Sequence, residues 1–214
     1  MERTFVIGDI HGCKGMLLGL LDLIKYEPSK DHLIFVGDYI DRGPDSKGVV
    51  DLLLELKALS KGKVQCILGN HEALLLDVIS GFGLELYLYN GGGATLRSYG
   101  TGPRFQDLSW LPDNHREFFV ELLPYIELGD YLVVHAGLRP GKPLEEQALE
   151  DLTWIREPFI YSDFDFGKRI IFGHTPFREP LVMKNKIGID TGAVYGNKLT
   201  ALELEEFRFY SFSF

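Results

Sequence analysis

Residues 33–43 read Leu33-Ile34-Phe35-Val36-Gly37-Asp38-Tyr39-Ile40-Asp41-Arg42-Gly43. Four apolar residues stop at a glycine and give way to a charged cluster. A run this short, β-branched and aromatic, with glycine at one end, reads as a buried strand. The same construction recurs along the chain. Phe5-Val6-Ile7 ends at Gly8-Asp9, and Val64 to Leu68 ends at Gly69-Asn70-His71. Tyr131 to Val134 ends at His135, Ile170 to Phe172 at Gly173-His174, and Ile187-Gly188-Ile189 at Asp190.

Helical spacing fills the early gaps. Met16, Leu17, Leu20, Leu21 and Ile24 predict a helix over 14–26 with one buried stripe. Val49, Val50, Leu53, Leu54 and Leu56 predict another, with Asp45 or Ser46 as its N-cap. A third follows Asn70 through Ala73, Leu74, Leu75 and Val78. Strand and helix in alternation imply an α/β protein whose parallel strands are joined by right-handed crossovers.

The pattern breaks over 81–130, where glycines punctuate the chain, and this stretch reads as an inserted segment with a helix near 114–122. Gly91-Gly92-Gly93 lacks the Gly-Lys-Ser/Thr of a phosphate-cradling loop and reads as a flexible loop. Leu199 to Leu204 and Phe207 to Phe214, parted by Glu205-Glu206, predict a C-terminal β-hairpin over 199–214. The 214 residues fit one domain.

With 22 Lys and Arg against 31 Asp and Glu, the formal charge is −9, poor for non-specific binding to nucleic acid or an anionic membrane. No apolar stretch reaches the roughly 20 residues that span a bilayer, and no targeting segment precedes the first strand. The chain reads as soluble and cytoplasmic. Cys13 and Cys66 are no disulfide framework, and Cys66 lies in an apolar run as a buried thiol would. His32 and His115 fall outside the clusters and read as surface residues.

Functional groups gather at the carboxyl ends of parallel strands, where the loops converge. One Asp or His after a strand is ordinary turn chemistry. Five strand ends that each deliver Asp, His or Asn are not. Asp9 and Asp38 supply carboxylate oxygen, Asn70 amide oxygen, and His11, His135 and His174 imidazole. Mixed oxygen and imidazole ligands suit Mn, Fe or Zn, and a carboxylate can bridge two cations.

Gly8-Asp9-Ile10-His11-Gly12, Gly37-Asp38-Tyr39-Ile40-Asp41-Arg42-Gly43 and Gly69-Asn70-His71-Glu72 resemble the three signatures of the calcineurin-like metallophosphoesterase superfamily. His135-Ala136-Gly137 and Gly173-His174-Thr175 resemble its two later histidine motifs, so the resemblance spans about residues 4–200. The Asp41-Arg42 pair and Asn70-His71-Glu72 resemble the phosphoprotein phosphatases, in particular small bacterial serine/threonine members. That resemblance implies a four-layer α/β/β/α sandwich, two mixed sheets with helices outside. It implies two divalent metals, with Mn²⁺ the expected ion. Asp9, His11 and Asp38 would hold one, and Asp38, Asn70, His135 and His174 the other. A hydroxide bridging them would attack phosphorus directly and in line.

By the same resemblance, His71 protonates the departing alkoxide, and Asp41 fixes its tautomer. Arg42 contacts phosphoryl oxygens with Asn70, and Trp154-Ile155-Arg156 places Arg156 as a second arginine. Tyr195 is a residue that either reaches the site or packs elsewhere, and Glu72 orients its neighbours. The expected substrate is a phosphorylated protein, at serine, threonine or several residue types, or a small phosphoester. The rival is a symmetrical dinucleoside tetraphosphate hydrolase, whose pattern lacks an aspartate matching Asp41. Asp190-Thr191-Gly192-Ala193 looks like an aspartic-protease signature, but that chemistry needs two copies, and one late copy is a turn after a strand.

Overall fold

The computed structural model describes residues 2–101 and 109–214. The apolar runs become strands: β1 (Thr4–Ile7), β2 (His32–Phe35), β3 (Val64–Cys66), β4 (Tyr125–Leu128), β5 (Tyr131–Val134), β6 (Arg169–Phe172), β7 (Leu181–Val182), β8 (Lys186–Gly188), β9 (Leu199–Glu203) and β10 (Arg208–Phe212). The helices are α1 (Lys14–Leu23), α2 (Ser46–Ser60), α3 (Asn70–Ile79), α4 (Leu84–Tyr89), α5 (Gly92–Ser98), α6 (Asp113–Val120), α7 (Leu149–Trp154) and α8 (Glu157–Ile160).

Two five-stranded sheets form, in the orders β10-β9-β1-β2-β3 and β4-β5-β6-β8-β7. In the first, β1, β2 and β3 run parallel, and the terminal hairpin joins antiparallel to β1 through Phe5 opposite Glu203. In the second, β5, β6 and β8 run parallel, while β4 and β7 are antiparallel edges. Both sheets are mixed, whereas strand and helix alternation alone implied parallel strands.

Strand periodicity explains why the runs are apolar at every position. Successive side chains point to opposite faces, and both faces are covered. Val6, Ile34, Val133, Ile171 and Ile187 meet in the layer between the sheets. Their neighbours Phe5, Ile7, Leu33 and Phe35 pack outward with Leu17, Leu20, Val49 and Leu53 of α1 and α2. On the far side, Leu132, Val134, Ile170 and Phe172 pack with Leu152, Ile155 and Phe159 around α7 and α8. The result is the four-layer sandwich.

Three expectations need correction. The second sheet opens at Tyr125, so the last part of 81–130 is sheet rather than insertion. Gly91-Gly92-Gly93 is no flexible loop. Gly91 takes φ 105° as the entry to α5, and Gly92 packs beneath the Tyr87 ring, where a Cβ would come within 2.4 Å. His115 is buried, not on the surface: Nδ1 lies 2.7 Å from the Tyr99 hydroxyl and Nε2 3.0 Å from Asp51 Oδ1. His32 is half-buried at the start of β2.

Of the two N-cap choices for α2, Asp45 is the cap: its Oδ1 accepts from the Gly48 N–H at 2.9 Å. Losing an N-cap side chain costs about 1 kcal/mol. Asp45→Ala is expected to lower unfolding stability by that amount in urea, with an unchanged m-value.

Candidate active site

The motif loops leave the carboxyl ends of β1, β2, β3, β5 and β6 and are laced together by backbone hydrogen bonds. The Ile10 and His11 N–H groups both donate to the Asp38 carbonyl, at 3.1 and 2.8 Å, and Gly12 N–H donates to Tyr39 O at 2.8 Å. Within the second sheet, the loops after β5 and β6 are joined in the same way, Gly173 N–H donating to His135 O at 2.8 Å. Such close approach excludes side chains: a Cβ on Gly37 would lie 2.7 Å from Gly69 Cα, and one on Gly173 2.0 Å from Asp9 Oδ1. His11, Asp38, Asp41, Arg42 and His174 all take positive φ, between 45 and 70°. Non-glycine residues bear that strain only where surroundings over-determine it, and such positions cluster at functional sites.

All six residues expected to be metal ligands come together and are buried. The imidazole tautomers are fixed from behind. His11 Nδ1–H donates to Ile40 O at 2.8 Å, and His135 Nδ1–H donates to Val36 O at 2.9 Å. Each Nε2 therefore turns its lone pair inward. The two Asp38 oxygens face different histidines, Oδ2 lying 3.3 Å from His11 Nε2 and Oδ1 3.4 Å from His135 Nε2. Asn70 Oδ1 lies 3.0 Å from His135 Nε2 and 2.9 Å from His174 Nδ1. Asp9 Oδ2 accepts from the His174 N–H at 2.9 Å, while Asp9 Oδ1 is buried with no hydrogen-bond partner.

This donor set fits divalent cations. Two groups, His11, Asp38 and His71, and Asp38, His135 and His174, each bring their ligating atoms within 4.8 Å of one another, with Asp38 in both. Asp9 stands outside both groups and offers its orphaned oxygen alongside. Burial, with Asp190 and Asp38 nearby, pushes the Asp9 carboxyl well above its ordinary range. Burial and then His135 bring the His174 imidazole down to about 2, which keeps it neutral as a ligand must be. Cations reverse the repulsion that raises Asp9.

His71 stands apart by its hydrogen bonding. It is fully buried, its Nδ1 donates to Asp41 Oδ2 at 2.7 Å, and its Nε2 has no hydrogen-bond partner, 4.0 Å from Asp38 Oδ2. Arg42 is exposed and donates from Nη1 to His11 Nε2 at 2.8 Å, with the Tyr195 ring 5.8 Å from its guanidinium carbon. Arg156, exposed at the entry to α8, donates to Thr175 Oγ1 at 3.2 Å, beside His174.

Three supports escaped the sequence reading in whole or part. Thr95 on α5 donates to Asp41 Oδ1 at 2.6 Å and accepts from the Asp41 N–H at 2.9 Å. Asp190 is buried, close enough to raise Asp9, and its Oδ1 accepts from the Gly192 N–H at 2.9 Å, an Asx turn that also serves the site. Glu72 accepts from the N–H groups of Asp38, Tyr39, Ile40 and Gly69 at 2.9, 2.8, 3.2 and 3.2 Å. The Glu72 motif was visible, but its fourfold backbone grip was not. Thr95 had no signal, since it follows a glycine run.

The sequence profile of the calcineurin-like phosphoesterases matches residues 2–207. The chain belongs to that family. Serine/threonine-protein phosphatase 1 of Salmonella typhimurium strain LT2 is 32% identical over 209 residues, covering 95% of this chain and 93% of that protein. Bis(5'-nucleosyl)-tetraphosphatase PrpE (asymmetrical) of Halalkalibacterium halodurans is 32% identical over 239 residues, covering 96% and 92%. A crystal structure of a candidate diadenosine tetraphosphatase superposes with a TM-score of 0.77 at 26% identity, covering 99% of this chain and 93% of that one. The chain is thus a hydrolase of the dimetal phosphoesterase fold. Among the described residues no helix is long and apolar enough to cross a membrane.

Glu72→Gln turns an amide NH₂ toward backbone donors. Hydrogen bonds to a charged acceptor contribute about 1.5–3 kcal/mol each, and an unmade one is costly. We expect at least 2 kcal/mol lost in chemical denaturation and a lower metal content after dialysis.

Proposed function

We propose that the chain is a metal-dependent phosphomonoester hydrolase, a serine/threonine or dual-specificity protein phosphatase. One cation, Mn²⁺ in this reading, would be held by Asp9, His11 and Asp38, and a second by Asp38, Asn70, His135 and His174. When bound, such a pair supplies Lewis acidity and an acidified water for in-line attack on phosphorus. His11 Nε2 now accepts from Arg42, so its engagement as a ligand frees the guanidinium for phosphoryl oxygens. Arg156, across the site rim, and the Asn70 amide complete that cradle, which suits charge spread over equatorial oxygens.

The observation that carries the reading is His71. Its Nδ1–H is committed to Asp41 at 2.7 Å, and its free Nε2 faces the site. Protonated there, the imidazole can deliver its proton to a departing oxygen while Asp41 stabilises the cation. A serine or threonine alkoxide is strongly basic and needs such an acid, whereas a nucleoside polyphosphate leaves as a stable anion with little help.

A second reading, hydrolysis of dinucleoside tetraphosphates, is favoured by the tetraphosphatase relative and the superposed structure. The Asp41–His71 pair separates the chain from the symmetrical hydrolases as their pattern is described above, not from asymmetrical ones. The two readings part in one assay, a phosphoserine peptide beside a dinucleoside tetraphosphate with Mn²⁺. We expect faster peptide turnover, and preference for the nucleotide would replace the first reading with the second. A cytoplasmic setting accords with the two free cysteines, Cys66 having a thiol pushed up to about 12 by burial.

With p-nitrophenyl phosphate, activity is expected only after divalent metal is added, with Mn²⁺ best. A general acid contributes about 10²–10⁴-fold. His71→Asn is therefore expected to lower kcat on a phosphoserine peptide by about 10²-fold or more, and much less on p-nitrophenyl phosphate, whose leaving group is weakly basic. Metal content by mass spectrometry should not change, and lost metal would instead make His71 a ligand.

A further inference from the structure

Beside Arg42 the surface sinks into a cavity of about 430 Å³ lined by Arg42, Gly43, Pro44, Ala94, Arg97 and Ser98. One wall is the turn that follows Asp41. The other is a single face of α5, since Ala94, Arg97 and Ser98 stand at helical spacing. Both walls are tied in place. Gly91 O accepts from the Arg42 N–H at 3.3 Å, Thr95 Oγ1 donates to Asp41 Oδ1 at 2.6 Å, and Ser98 Oγ accepts from the Lys47 N–H at 2.9 Å.

The charge of this cavity runs against that of the chain. Acidic residues outnumber basic ones 31 to 22, yet no carboxylate lines it. Among the described residues neither Arg42 nor Arg97 has a carboxylate within ion-pair distance. Nearby Lys47 is taken up by Asp51 at 2.9 Å. A basic residue in a last helical turn complements the helix dipole wherever it points. Arg97 does more, because it lines one small cavity together with a second arginine, Arg42. Two like charges repel there, and an anion between them relieves the repulsion. Screening over about 8 Å at physiological salt leaves these local charges, not the net −9, to decide what enters.

We propose that this cavity is an anion subsite that holds a second phosphate group of the substrate, next to the one being hydrolysed. The inference rests on the placement of Arg42 at the scissile phosphoryl group. The planar fork of Arg97 suits a phosphate, and Gly43 and Ala94 leave room for its oxygens. The second phosphate can come from a neighbouring phosphoserine, nearly a dianion at neutral pH, or from a polyphosphate chain, whose internal phosphates are monoanions, since both present anionic phosphoryl oxygens.

The test compares kcat/KM with Mn²⁺ for a singly phosphorylated serine peptide, the same peptide with an adjacent second phosphoserine, and a dinucleoside tetraphosphate. The wild type, Arg97→Ala, Arg97→Glu and, as a charge control on another face, Lys142→Ala are measured. A charge-assisted guanidinium–phosphate contact is worth about tenfold in binding. In Arg97→Ala the ratio of the doubly to the singly phosphorylated peptide, or of the tetraphosphate to the singly phosphorylated peptide, is expected to fall by about tenfold through KM. Arg97→Glu should lower it further, and Lys142→Ala should leave it alone. Whichever ratio falls identifies the source of the second phosphate. Unchanged ratios in both Arg97 variants overturn the subsite while the phosphatase reading stands. If the wild type hydrolyses none of these substrates, the phosphatase reading fails and the subsite is judged by calorimetry with inorganic tripolyphosphate. Weaker binding to Arg97→Ala by about tenfold supports it, and equal affinity overturns it.

Discussion

The carboxylate of Glu72 sits at the centre of this molecule's design. It lies fully buried at the first turn of α3 and accepts from four backbone N–H groups, three on the loop after β2 and one on the loop after β3. Burial and the charges of Asp38 and Asp41 push this carboxyl upward, and the N–H groups of Ile40 and Tyr39 pull the other way. One side chain thereby sets where Asp38 stands relative to Asn70 and His71. That grip holds Asp38 in left-handed backbone at φ 53°, while Asp41, at φ 70°, is held by the hydroxyls of Thr95 and Ser46. The spacing of Asp38 from Asn70 and His71 descends from that arrangement.

A second constraint is electrostatic. Asp9, Asp38, Glu72 and Asp190 are all buried in one small volume, and Asp9 carries an oxygen that no protein donor satisfies. Buried carboxylates without partners are expensive. The imidazoles answer this by geometry, His11 and His135 fixed by backbone carbonyls and His71 by the Asp41 carboxylate so that a lone pair faces inward, and His174 held against the Asn70 amide oxygen. The positive groups that do reach the site, Arg42 and Arg156, come from its exposed rim. The interior is thus arranged for cations and the mouth for anions, the polarity that a phosphoester hydrolase needs.

Much of this was legible in the sequence because strand ends are chemically loud. An apolar run, a glycine and then Asp9, Asp38, Asn70 or His174, or an apolar run that meets His135 directly, is a local signal, and α/β topology brings such ends to a shared edge. The division into two sheets was not legible locally. It came from family resemblance, since Glu127 interrupts the apolar run of β4 and β7 is only two residues long. Thr95 was silent for a different reason. Its partner Asp41 lies 54 positions away, and the glycines before α5 look like a loop until Tyr87 and Arg42 are packed against them. His115 was misread in the same way, because an isolated histidine gives no hint that Tyr99 and Asp51 will enclose it.

The layer between the sheets has a consequence for the molecule as a whole. Val6, Ile34, Val133, Ile171 and their neighbours meet there through aliphatic contact that carries little directional preference. On the proposed ligand set, Asp9, His11, Asp38 and Asn70 belong to one sheet and His135 and His174 to the other. A cation held from both sides acts as a rivet through that slippery layer. Its binding free energy is then also docking free energy between the two halves, in the sense of linkage. Metal supply would set the mechanical registry of the sandwich, and the loaded and empty proteins would differ in stiffness before they differed in shape.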